Sequence, residues 1–160
     1  MSDAAASQAA ISQAERSRWM SCLSQADPAR LEAAWAMLTP PAPPHRWLRQ
    51  PETGLVMLRG RAGGSGQPFN LGEMTMTRAA VLVEAAHPLA GFGYVAGRAA
   101  RHAELAALFD ALLQDEARRP ALLAGLIEPL QAAAAEARAA RAAHVAPTRV
   151  DFTTMVRGHD

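Results

Sequence analysis

The sequence predicts an α+β chain: N-terminal helices, a central antiparallel sheet of three to four strands, C-terminal helices and a final strand. Three observations carry this expectation. Residues 54–83 hold two strand-like runs around the glycine-rich turn Gly63-Gly64-Ser65-Gly66. Helix-period apolar spacing flanks that region on both sides. The run Pro40-Pro41-Ala42-Pro43-Pro44 separates the first helices from it, because consecutive prolines cannot continue a helix.

The first ten residues are small and polar and read as a flexible tail. Residues 11–160 read as one domain. A helix is expected over 11–25, where Trp19 and Leu23 lie four apart. Asp27-Pro28 is a helix start, with Asp as N-cap and Pro at the first helical position. Leu31, Trp35 and Leu38 then line one face. Residues 45–50 read as a short strand and Pro51-Glu52-Thr53-Gly54 as a turn. In the strand from Leu55 the first half is apolar on both faces, the pattern of an inner strand buried on both sides.

Residues 69–73 read as a second turn. Met74-Thr75-Met76-Thr77-Arg78 then alternates, so methionines face one way and threonines the other. Residues 91–97 form a glycine-interrupted strand, whose glycines permit close backbone approach. The most regular helix spans 98–114, with Leu105, Leu108 and Leu112 on one face. Arg98, Arg101 and His102 at its start oppose the helix dipole. Pro120 opens the next helix and Pro129 is expected to bend or break it. Residues 131–144 are nearly all alanine apart from Glu136, Arg138 and Arg141; such a helix buries little and needs a neighbour. Pro147 ends it. The tail alternates, with Arg149, Asp151, Thr153, Met155 and Arg157 on one face of a final strand.

Bulk properties bound the function. The 160-residue chain carries a formal net charge of +1, which gives no support for nucleic-acid binding. Its one cysteine, Cys22, rules out an internal disulfide or a cysteine cluster and fits a reducing compartment. No signal peptide or membrane-length apolar run is present, so a cytoplasmic protein without membrane contact is expected. No metal-ligand spacing, catalytic triad or cofactor motif emerges. The glycine-rich turn admits positive φ at Gly63, Gly64 and Gly66, and its N–H groups could form an anion nest flanked by Arg61 and by Arg78 across the hairpin. Its spacing matches neither a Walker loop nor a dinucleotide fingerprint, so a plain turn stands beside that reading. Arg98 adds a nearby charge, and His102 is the weak candidate for a general base.

Several segments, in order, resemble the PhnG family: Pro51-Glu52-Thr53-Gly54-Leu55-Val56-Met57, Arg61-Ala62-Gly63-Gly64-Ser65-Gly66, Thr75-Met76-Thr77-Arg78-Ala79, Gly93-Tyr94-Val95-Ala96-Gly97-Arg98 with His102-Ala103, and Arg149-Val150-Asp151-Phe152 with Thr154-Met155-Val156-Arg157-Gly158. The resemblance covers roughly residues 16–158. It implies a subunit of the carbon–phosphorus lyase core complex, with PhnI, PhnH and PhnJ as partners and ATP and an alkylphosphonate as substrates of the complex. The implied reaction displaces adenine from ATP to give an α-D-ribose 1-alkylphosphonate 5-triphosphate, with the chemistry ascribed to PhnI. The implied role here is accessory and needs no cofactor or metal. The alternatives are a direct contribution to the active site, with Arg61, Arg78 and Arg98 on the triphosphate, or a stand-alone anion- or nucleotide-binding domain. Two positions depart from the family: Ala99, where Asp is common, and Thr153, where a second Phe is common.

Overall fold

A computed structural model describes residues 11–61, 66–84 and 87–148. Helices α1 (Gln13–Gln25) and α2 (Pro28–Ala36) come first, then strands β1 (His45–Arg61), β2 (Pro68–Val83) and β3 (Leu89–Ala96). Helix α3 (Ala100–Leu112), the short α4 (Arg119–Leu122), a π turn (Leu123–Ile127), α5 (Glu128–Val145) and a 3-10 turn (Ala146–Thr148) follow. The three strands form one antiparallel sheet in the order β1-β2-β3. The α+β expectation is met, with helices on both sides of the sheet in the chain. The final strand and the first ten residues lie outside the described residues.

Local chemistry sets the helix starts. Ser12 Oγ accepts from the Glu15 N–H at 3.1 Å to cap α1. The Asp27 carboxylate accepts from the Ala29 N–H at 3.0 Å, with Pro28 opening α2. Ala99 stands at the N-cap of α3 with no side-chain cap. Its own N–H donates instead to Thr77 Oγ1 at 3.1 Å, and that hydroxyl donates to the Gly97 carbonyl at 2.7 Å.

Helix α3 is buried along almost its whole length and forms the middle of the core. The sheet covers one side through Ala79, Val81, Val83 and Val95, while Trp19, Leu23 and Leu31 cover the other from α1 and α2. Trp35 stacks edge-on against Phe109, with ring centroids 5.8 Å apart. The close approach of β3 to α3 requires glycine: a Cβ on Gly91 would lie 2.0 Å from the Ala107 carbonyl oxygen, and one on Gly93 2.0 Å from that of Ala103. That fulfils the close approach expected of the 91–97 glycines.

One charged side chain is fully enclosed. Asp110 accepts from Arg16 Nη2 at 2.6 Å, Arg16 Nε at 3.1 Å, Trp19 Nε1 at 2.8 Å and the Phe92 N–H at 2.9 Å. A buried carboxylate is tolerated only when its lone pairs are so occupied. The same Arg16 and Gln114 both donate to the Ala90 carbonyl, at 3.1 and 2.8 Å. Two outward-facing backbone groups of the edge strand β3 are thereby occupied.

Two local expectations are corrected and a third is met. Residues 51–54 are no turn: β1 runs unbroken through Pro51, with register shifts between Trp47 and Arg49 and between Arg49 and Glu52. As an edge strand, β1 has one side without a ladder partner, so the missing proline N–H is tolerated there. Residues 69–73 belong to β2, where Leu71 is an extra residue between the pairs Leu58↔Gly72 and Arg59↔Asn70. The break expected at Pro129 is present: a π turn (Leu123–Ile127) interrupts the α-helical ladder just before it, and Pro129 sits in the first turn of α5.

Replacing Asp110 by Ala strands the Trp19 and Phe92 donors and the Arg16 charge, and is expected to lower unfolding free energy by about 3–5 kcal/mol in urea denaturation. Ala99→Asp supplies the missing cap of α3, and the same measurement is expected to show a gain of about 1 kcal/mol.

Candidate functional site

The sheet has two unlike faces. Thr77, Ala79, Val81, Val83, Gly91, Gly93 and Val95 face α3 and are all buried. The opposite face carries Met76, Arg78, Ala80, Leu82, Phe92 and Tyr94 from β2 and β3 and Arg46, Arg49 and Glu52 from β1, and of these Ala80 alone is buried. Methionines and threonines thus point to opposite faces as their alternation predicts. This open face mixes apolar side chains with the charged Arg46, Arg49, Glu52 and Arg78, as open faces of antiparallel sheets commonly do.

The β3 strand stops at Ala96, opposite Met76. Beyond that pair β1 and β2 continue alone as a two-stranded arm, residues 55–61 against 68–75. Seven residues at strand spacing make it roughly 24 Å long. One face carries Val56, Leu58, Phe69, Leu71 and Met74; the other carries Leu55, Met57, Arg59 and Arg61 from β1 with Thr75, Glu73, Asn70 and Pro68 opposite them from β2. Leu71, from the bulge, lies over Gly60, where a Cβ would come within 2.4 Å of its Cδ1. Leu55 is 65% exposed, Met57 51%, Leu71 61% and Phe69 47%. The expected inner strand buried on both sides is corrected: β1 is an edge strand, and this chain's described residues leave Leu55, Met57 and Leu58 exposed.

The α5 helix is similarly unsupported. Beyond Leu130, its one buried residue, nearly every position is exposed. The described residues leave most of the alanine-rich helix exposed, with α1 beside its first half across a groove.

The predicted site residues fall in separate places. Arg61 is exposed at the end of β1, and its Nη1 donates to the Gly66 carbonyl at 3.0 Å across the base of the loop. Gly63 and Gly64 lie outside the described residues, as do Arg149 and Arg157. Arg78 sits on the open sheet face, bonded at 2.7 Å to Glu52, which also pairs with Arg49. Arg61 pairs with Pro68 in register and Arg78 with Glu52, so nine strand residues, roughly 30 Å, separate the two arginines. The reading in which Arg78 crosses the hairpin to the glycine-rich turn is corrected by this distance. Arg98 is exposed just after Gly97, whose φ of 83° makes the turn into α3. The Gly97 N–H donates to the Thr75 carbonyl, which puts Arg98 some 20 Å along the arm from Arg61.

His102 is buried, its Nε2 2.8 Å from the Leu23 carbonyl oxygen. It ties the start of α3 to the end of α1 rather than facing a cleft. Its neighbour Arg101 resolves the conflict with the helix dipole through carboxylates: Glu32 at 2.8 Å and Glu104 at 2.9 Å. Hydrogen bonding to Arg101 holds the Glu32 carboxyl below its ordinary range. Burial pushes the Cys22 thiol up, which disfavours its thiolate. Among the described residues no three His, Cys, Asp or Glu side chains cluster to hold a metal ion, and no helix is long and apolar enough to cross a membrane.

A groove of about 390 Å³ lies between α1 and the free edge of β3, lined by Arg16, Ser17, Ser21, Phe92 and Tyr94 among others. A smaller one of about 140 Å³ lies between α1 and α5, beside Arg18, Cys22 and Arg138. Sequence reasoning did not single out Asp110 or Arg16. An aspartate inside an otherwise apolar helix run, at Phe109-Asp110-Ala111, was the available signal, since mid-helix Asp is unfavourable without a specific partner.

An arm with apolar side chains exposed on both sides and a helix exposed along most of its length define a class: a chain with apolar surfaces of the kind that protein partners cover. The comparisons make the class specific. The model of the family described as "Phosphonate metabolism protein PhnG" matches residues 14–158. A protein of Rhizobium meliloti (strain 1021), named alpha-D-ribose 1-methylphosphonate 5-triphosphate synthase subunit PhnG, is 42% identical over 162 residues, covering 100% of both chains. The chain belongs to the PhnG family of phosphonate metabolism proteins.

The Glu52 carboxyl is held below the ordinary glutamate range, first by its hydrogen bond to Arg49 and then by that to Arg78. These pairs are therefore intact above that range and are lost as pH falls through the lowered value. In an NMR titration of the side-chain carboxyl, Arg49→Ala is expected to return the Glu52 midpoint upward by more than Arg78→Ala does.

Proposed function

We propose that the chain is an accessory subunit of an α-D-ribose 1-methylphosphonate 5-triphosphate synthase acting in phosphonate catabolism. The full-length match to the Rhizobium meliloti synthase subunit carries this reading. In it, the complex displaces adenine from the ribose of ATP with a phosphonate and yields an α-D-ribose 1-alkylphosphonate 5-triphosphate. The chain docks mainly on PhnI, in a cytoplasmic assembly that also contains PhnH and PhnJ. It forms a single domain after its first ten residues.

The geometry supports an accessory rather than a chemical role. A general base must reach the proton it removes, and His102 is engaged inside the core with the Leu23 carbonyl. Three arginines on one triphosphate would have to converge, and Arg61, Arg78 and Arg98 are spread along the sheet. The apolar surfaces left open are instead suited to burial against other subunits.

Co-expression with the other synthase subunits is expected to recover this chain in a stable complex with PhnI. A well-behaved monomer that never co-purifies would refute the proposal. Within the assembled complex, Arg61→Ala and Arg98→Ala are expected to leave adenine release from ATP within about threefold of wild type. A loss of roughly 100-fold with assembly intact is the size expected of a group that stabilises charge in the transition state, and would move the chain into the active site.

A further inference from the structure

We infer that residues 149–157 pair as a fourth strand with the free edge of β3 in the same chain, in the groove between that edge and α1, a contact independent of the subunit reading.

The edge of β3 is closed at its start and open at its end. The Phe92 N–H donates to Asp110, and the Ala90 carbonyl accepts from Arg16 and Gln114. Even-numbered residues of β3 therefore turn their backbone groups away from β2. The Gly97 N–H, which donates to the Thr75 carbonyl of β2, fits the same alternation. The next outward groups are the Phe92 carbonyl, the Tyr94 N–H and carbonyl and the Ala96 N–H. None of them has a hydrogen-bond partner among the described residues. A row of unpaired backbone groups on a sheet edge is a template for one more strand.

The groove beside that row suits an extended segment. It holds about 390 Å³ between β3 and α1. Ser17, Ser21 and Ser24 recur at helical spacing along its α1 wall. Their short side chains leave space for a backbone and offer hydroxyls to it. Met20 and Ala106 also line it, so one side of an incoming strand meets apolar atoms while the other emerges beside Tyr94 on the open sheet face.

The C-terminal sequence matches this place. Val150, Phe152, Thr154 and Val156 alternate with Arg149, Asp151, Thr153, Met155 and Arg157. One side of such a strand is β-branched and aromatic and the other is mainly polar. The first side goes toward Met20 and Ala106 and the second toward water.

The chain is long enough. Thr148 is the last described residue before the C-terminal segment 149–160. Arg138 of α5 lines the smaller groove against α1, and Ser21 lines both grooves. From Arg138 to Thr148 the helix advances at most about 15 Å. Residues 149–160 span roughly 40 Å when extended. Returning past Arg138 and crossing one helix width of about 10 Å leaves roughly 15 Å. The open edge from Phe92 to Ala96 is about 13 Å long. A segment tethered this closely is present at an effective concentration of about millimolar, ahead of the same segment on another molecule.

Amide hydrogen exchange read by NMR tests the pairing, on the full chain and on a variant ending at Thr148. The Tyr94 and Ala96 N–H groups are expected to exchange about 100-fold more slowly in the full chain. The Gly93 and Val95 N–H groups face β2 and are expected to change by less than about threefold, which separates loss of the pairing from loosening of the whole fold. Phe152→Asp is expected to act as the truncation does, and Asp151→Asn, on the other side of the segment, to retain the protection. Equal exchange at Tyr94 and Ala96 with and without the segment overturns the inference, as does equal acceleration at all four positions. Protection that rises with protein concentration assigns the edge to a second copy, and protection that appears only on adding the other synthase subunits assigns it to a partner's strand; either result also overturns it. Failure of the chain to join a synthase complex would refute the subunit reading and leave these amide readouts unchanged.

Discussion

The Asp110 carboxylate joins parts of the chain that are far apart in sequence. It lies on α3, fully enclosed, and takes four hydrogen bonds from α1 and from the backbone of β3. Removing a carboxylate from water costs several kcal/mol before any partner is counted, so the site is stable only with every donor in place. That requirement fixes the rotation of α1, because both Arg16 and Trp19 must face α3. It also fixes the height of β3 against the helix. The glycines at 91 and 93 make the second half of the same constraint, since they let the strand approach α3 to backbone contact.

From this anchored centre the fold becomes asymmetric. One sheet face is sealed by α3, and the free edge of β3 is partly occupied by Arg16, Gln114 and the Asp110 carboxylate. Much of the other sheet face, the arm beyond Ala96 and the far part of α5 are left exposed by the described residues of this chain. A core so concentrated on α3 can hold the fold while those surfaces stay open. The exposed apolar residues then remain available for association, where burial contributes about 25 cal/mol per Å² before the costs of association.

Much of the helical framework was legible in sequence because caps and periodicity act locally. Asp27-Pro28 starts α2 as its chemistry requires, the Met/Thr alternation assigns the faces of β2, and the composition of residues 131–144 marks a helix that cannot bury itself. The misreadings occurred where a local signal met a non-local context. Pro51 reads as a turn residue, yet an edge strand tolerates it. The candidate site was legible as residue types and not as a place. Arg61 and Arg78 flank one hairpin in sequence, but an antiparallel pair puts residues equally far from the turn side by side, and these two are at different distances from it.

By itself, then, the sequence determined the α+β class, the helix starts, the close strand approach at 91–97 and, through ordered segments along the chain, the family. Tertiary structure alone decided that His102 belongs to the core, that Asp110 is its polar centre, and that the apolar pattern on both faces of the arm meets no burying layer within the described chain. The reason is that periodicity records which faces avoid water, and only packing shows which of them this chain covers and which await another.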